Sequence, residues 1–139
     1  MTRRNSHHQR TVAPRRRGVL SMELVLTLPI LMVVILGLFE FTWLFYARGM
    51  VVEASRVAAR QATLPGASLD TVQAEVNRML PVRFVSHARI QADLGAHAGD
   101  IVSVAVAVPM KSVAPDLLWP IGITLAGHSL YSETRMVRE

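Results

Sequence analysis

Few side chains in these 139 residues are placed to do chemistry. His87, His97 and His128 are not at metal-ligand spacing, and no HExxH, GxSxG, GxGxxG or phosphate-binding loop is present. His7 and His8 read as solvated groups near the N-terminus, while Asp93, Asp100 and Asp116 stand beside turns, where carboxylates cap backbone. We therefore expect no enzyme, no metal and no cofactor. One ionisable residue is different. Glu23 lies about a helical turn inside an apolar run, where a carboxylate costs about 2.5–3.5 kcal/mol and so requires a partner or a function.

The elements that carry Glu23 follow from composition. The chain is 51% hydrophobic and holds 15 Lys plus Arg against 10 Asp plus Glu, with no cysteine. Its mean hydropathy of +0.33 is high for a soluble domain. Both excesses are local. Residues 1–18 contain six arginines and no acid, and the remainder is close to neutral. The high pI thus describes a short leader and does not predict a nucleic-acid-binding face.

Residues 24–39, LVLTLPILMVVILGLF, carry no charge, and their flanks extend the run to bilayer length. A soluble core helix would show a polar face, but Thr27 is the one polar side chain here. We read a transmembrane helix over residues 19–47. The arginines before it place the N-terminus in the cytoplasm and everything after about Arg48 on the opposite side. Five of the eight aromatic residues fall at Phe39, Phe41, Trp43, Phe45 and Tyr46, an interfacial belt. If the span begins near Val19, about 31 Å of helix brings Glu40 to the far interface, with Trp43 and Tyr46 beside it. A cleaved secretory signal or twin-arginine signal fits less well, because the apolar run is long, includes Glu23 and lacks an A-x-A-like site at Ala47.

Arg15-Arg16-Arg17-Gly18 followed by VLSMELVLTLP resembles the class III signal of type IV pilin-like proteins. The resemblance implies that a prepilin peptidase cuts between Gly18 and Val19, with Arg17, Glu23 and Pro29 serving recognition or assembly. Glycine lets the scissile backbone extend into a protease, and the helix behind the cut remains as anchor. The longer stretch through VVEASRVAARQA, with Glu, then Pro six residues on, then Glu near the span's end, resembles the TadE-like proteins of the tight-adherence pilus system. The C-terminal LYSETRMVRE is similar to the ends of such proteins. Val19, where general-secretion pseudopilins usually carry an aromatic residue, favours that branch. The resemblance implies a peptidase, other pilin-like subunits, a membrane platform and the lipid bilayer as partners.

Beyond the span, Met50, Val51, Ala54, Val57, Ala58 and Ala62 share one helical stripe and Glu53, Arg56 and Arg60 another, so the helix should continue over residues 48–63. Residues 68–139 read as a small α+β head. A helix over 68–80 or 70–80 would have Asp70 as cap and Gln73 as its capping-box partner, ending at Pro81. A strand over 88–94, a hairpin loop over 95–100 and the alternating strand IVSVAVAV follow, with the small residues of that strand set to pack under a helix. Leu117, Leu118, Trp119 and Ile121 form an apolar cluster that covers the core or meets a partner, and residues 123–136 read as the last strand. The expected class is α+β and membrane-anchored, with a long N-terminal helix and about three antiparallel strands.

A pilin-like subunit and an uncut bitopic protein whose exported head binds a ligand or partner both satisfy this pattern. Both share one topology. Reporters fused after Arg60 and at Glu139 should be active only as exported reporters; cytoplasmic activity at either position would contradict the orientation.

Overall fold

The computed structural model describes residues 17–139, with side chains from residue 21 onward. Residues 1–16 of the basic leader, including Arg15 and Arg16, lie outside the described residues. The element order is helix α1 (Arg17–Ala62), α2 (Leu69–Met79), α3 (Val82–Val85), strand β1 (Arg89–Asp93), β2 (Ile101–Pro109), α4 (Met110–Val113), a 3-10 turn (Trp119–Ile121) and β3 (Ser129–Val137). The class is α+β with an N-terminal anchor helix. Among the described residues two compact units are distinguished, one ending at Val33 and the other spanning Val34–Glu139.

In the first unit, every described side chain from residue 21 to 33 is exposed, the Leu and Val residues as well as Glu23. Thr27 Oγ1 donates to the carbonyls of Glu23 and Leu24 at 3.0 and 3.3 Å, so its hydroxyl is satisfied without water. Pro29 sits inside the helix and supplies no N–H to the carbonyl four residues earlier. In membrane proteins, neighbouring helices and Ser/Thr side chains offset such a loss.

The second unit is built around a three-stranded antiparallel sheet in the order β1-β2-β3. Period-two alternation sends Val102, Val104, Val106 and Val108 to one face, where all four are fully buried. They share a core with Ala47, Val51, Ala54, Ala58 and Ala62 of α1, with Val72 and Val76 of α2, and with Phe84. The predicted helix stripe is the buried one, and Glu53, Arg56 and Arg60 face outward. The expectation for β2's faces is corrected: Ser103, Ala105 and Ala107 are only half-buried, and the valines meet the core. Valine removes more apolar area from water than serine or alanine, so it takes the covered face. The alanines on α1 supply the close approach instead.

Three further expectations are corrected. The last strand begins at Ser129, not Ile123, because Gly127 turns at φ 76° and Asp116 holds the preceding segment through Thr124 Oγ1 and the Leu125 N–H. Segments α3 and α4 are single turns that no periodicity announced. Helix α2 is capped by Ser68, whose extended backbone aims its hydroxyl at the Thr71 N–H while Thr71 Oγ1 accepts from the Ser68 N–H. Asp70 falls inside the first turn, where its charge favours the helix dipole. The hairpin between β1 and β2 needs Gly95, at φ 61°, since a Cβ there would lie 2.7 Å from Asp100 Cβ.

The cap assignment has a measurable consequence. Ser68→Ala should lower the stability of the detergent-solubilised chain by about 1 kcal/mol in urea unfolding, and Asp70→Asn by roughly 0.3 kcal/mol. The reverse ranking would return the cap to Asp70.

Candidate functional site

The residues predicted to matter lie along α1. Arg17 opens the helix and Gly18 and Val19 follow in its first turn. Glu23 and Pro29 lie on exposed turns, and among the described residues no ion pair or hydrogen bond reaches the Glu23 carboxylate. Only 11% of the most apolar window of this helix is buried, which argues against a soluble core helix.

Glu40 behaves differently. Expected at the far membrane interface, it is 2% exposed, and Oε2 accepts the N–H groups of Leu117 at 2.8 Å and Leu118 at 3.0 Å. Leu118 is buried with a methyl group 3.6 Å from where a Cβ on Gly37 would stand. One turn on, Trp43 Nε1 donates to the Val113 carbonyl. The Arg83 guanidinium lies over the rings of Trp43 and Phe84, 5.1 and 4.9 Å from their centroids. Tyr46 is exposed and tilts against Trp43 at a centroid separation of 6.3 Å. The structure therefore brings Glu40 and Trp43 together with residues 113–118, and leaves Tyr46 at the margin.

Two polar contacts were not foreseen. Ser55, fully buried, donates to the Val52 carbonyl and meets the hydroxyls of Ser132 at 2.9 Å and Thr134 at 3.0 Å. That cluster fixes α1 against β3. The Glu40 contact is the second, and a signal for it was present: Gly37, Glu40, Leu44, Ala47, Val51, Ala54 and Ala58 recur at spacings of three and four, so Glu40 belongs to the buried stripe.

The carboxylates beside turns cap backbone. Asp93 Oδ1 accepts from the Gly95 N–H, and Asp100 Oδ2 accepts from those of Ala96 and His97 at 2.9 and 2.8 Å. The His97 and Ala96 N–H groups hold the Asp100 carboxyl below its ordinary pKa. On the open face of the sheet, Glu133 accepts from Arg135 Nε at 2.7 Å and from the Tyr131 hydroxyl at 2.8 Å. These bonds lower the Glu133 pKa and raise that of Tyr131. Among the described residues, no group of three or more His, Asp or Glu side chains could hold a metal ion.

These features define a class, an α+β protein in which, among the described residues, one apolar N-terminal helix is suited to a single-pass membrane anchor. Residues 18–60 match the family model of TadE-like protein, so the helix is TadE-like and the resemblance seen in the sequence is borne out over those residues. The match supports a TadE-like protein of the Tad pilus system. Neither the curated proteins nor the solved structures contain a match to this chain.

Removing Glu40 should free two N–H groups, one half-buried at Leu117 and one buried at Leu118. Glu40→Ala is expected to cost about 1.5–3 kcal/mol and to speed amide exchange at Leu117 and Leu118, whereas Glu40→Gln keeps an acceptor oxygen and most of the protection. Unchanged exchange in Glu40→Ala would refute the contact.

Proposed function

We propose that this protein is a minor pilin-like subunit that takes part in assembling a tight-adherence type IVb pilus after a prepilin peptidase removes residues 1–18. The reading is carried by one coincidence: the TadE-like match over residues 18–60 falls on a helix with Gly18, Glu23 and Pro29 in order and with every side chain of residues 21–35, most of them apolar, exposed. A helix of that kind acts by packing against lipid and against other helices.

In this scheme water adds across the Gly18–Val19 amide, leaving a carboxylate on the leader and an α-amine on Val19. The amine, with a reference pKa of about 7.7–8.0, is largely protonated at neutral pH. Set against Glu23 of a neighbouring subunit in low dielectric, it neutralises the carboxylate and fixes the axial offset between helices. Pairing between subunits agrees with a Glu23 carboxylate that has no hydrogen-bond or ion-pair partner among the described residues. The partners are the peptidase, other pilin-like subunits and the membrane platform of the pilus system. The head lies on the extracytoplasmic side of a bacterial inner membrane, and the role is structural, with no reaction catalysed.

Intact-mass measurement on protein from the native host should give a chain beginning at Val19. Retention of Met1 with the peptidase present would sink this reading in favour of an uncut bitopic protein. Glu23→Gln should be cut and inserted normally while pilus assembly falls; normal assembly would reject the pairing role, and loss of cleavage would reassign Glu23 to peptidase recognition.

A further inference from the structure

The segment that Glu40 holds is itself apolar and largely uncovered. Trp119, Ile121 and Ile123 are 67%, 51% and 50% exposed, and residues 117–127 contain no charged side chain. Their position is set by the Glu40 hydrogen bonds to Leu117 and Leu118 and by Leu118 against Gly37. Gly37 and Glu40 close the apolar run of α1, and Leu38, Phe39 and Phe41 around them are exposed. The loop is thus held against residues 37–40 of α1, beside the exposed apolar side chains of Leu38, Phe39 and Phe41.

A second feature lies next to it. A cleft of about 470 Å³ is lined by Trp43, Arg83, Lys111 and residues 112–115. Trp43 is three residues beyond Glu40, about 4.5 Å farther along the helix axis, toward the water side of the interface. Arg83 is held over the Trp43 ring, and the Lys111 side chain is more than half exposed, with Nζ 3.9 Å from Asp116 Oδ2. An apolar tip at the hydrocarbon boundary, followed outward by tryptophan and two cations, is the order of groups that a bilayer interface presents in complement.

The geometry points to a second membrane contact: the loop carrying Trp119, Ile121 and Ile123 inserts into the outer leaflet of the same bilayer, and Arg83 and Lys111 take the phosphate of a lipid headgroup. The contact rests on the reading of α1 as a membrane anchor. It makes the head a body seated on the lipid surface at two places, the helix and the loop.

The absence of cysteine allows a single nitroxide label per chain. The full chain, labelled through Leu31→Cys, Ile121→Cys or Gln91→Cys, is reconstituted in phosphatidylethanolamine–phosphatidylglycerol vesicles and its accessibility to oxygen and to a water-soluble nickel chelate is measured. Labels at 31 and 121 should favour oxygen, and the label at 91 should favour nickel by several fold. A label at 121 as open to nickel as that at 91 overturns the proposal, as does one shielded from both reagents, which would assign the loop to a protein neighbour. An aqueous label at 31 would fail the anchor reading and this contact together, whereas a membrane-type label at 31 with an aqueous one at 121 fails the contact alone. Replacing Arg83 and Lys111 with Gln should raise nickel access at 121 at least twofold; no change would remove the phosphate contact.

Discussion

A carboxylate taken out of water must be met by donors, and Glu40 is met by two backbone N–H groups from a segment more than seventy residues away in sequence. Those groups must converge on one oxygen, so the chain turns sharply at residues 115–118 and Leu118 is carried under the helix. The same approach brings the Val113 carbonyl to Trp43 Nε1 and leaves Arg83 stacked on the indole. Residues 110–125 contain only one turn of α-helix and one of 3-10 helix, so their placement owes little to secondary structure. It depends on side chains of α1 that offer polar atoms where the loop backbone needs them.

The rest of the second unit adds apolar burial to that polar tether. Four valines on β2 and the small residues on α1 form opposite sides of one core, and Ser55 with Ser132 and Thr134 supplies a polar contact within it. A hydroxyl that donates to its own helix carbonyl and accepts from two strand hydroxyls is fully satisfied, and among the described residues no buried side-chain polar atom is unpaired. Such a cluster contributes register more than adhesion. Sliding β3 by one residue would move Ser132 and Thr134 to the outer face and strand Ser55.

What could be read in the sequence was what repeats locally. The alternation in β2, the Ala and Val stripe on α1 and the glycine-bounded hairpin before Ile101 all appear where their periods place them. The onset of β3 could not be read, because the residues from Ile123 to His128 alternate well enough while Asp116 and Gly127 bend them into a loop. The Ser68 cap was obscured by Asp70, a stronger-looking acceptor two residues too late. Glu40 was legible as a member of the stripe through Gly37, Ala47 and Val51, but its place at the end of an apolar run also reads as a membrane boundary. Only the distant partner at Leu117 distinguishes the two, and no local pattern encodes it.

The two acids that bracket the apolar run therefore differ in what they leave available. Glu40 is 2% exposed and its Oε2 accepts two N–H groups of its own chain, so it is the burial of the carboxylate inside the fold that keeps it from a lipid or a second subunit. Glu23, on a turn whose side chains are all exposed, receives no such donors among the described residues. In hydrocarbon an unmet carboxylate is a strong demand for a cation. A helix that satisfied both acids internally would have no reason to select a neighbour, and one that satisfied neither would have no fixed attachment for its head. Internal donors at one end and an open requirement at the other are what the proposed pairing needs: the same helix holds a folded domain and keeps a carboxylate for the amine of a neighbouring subunit.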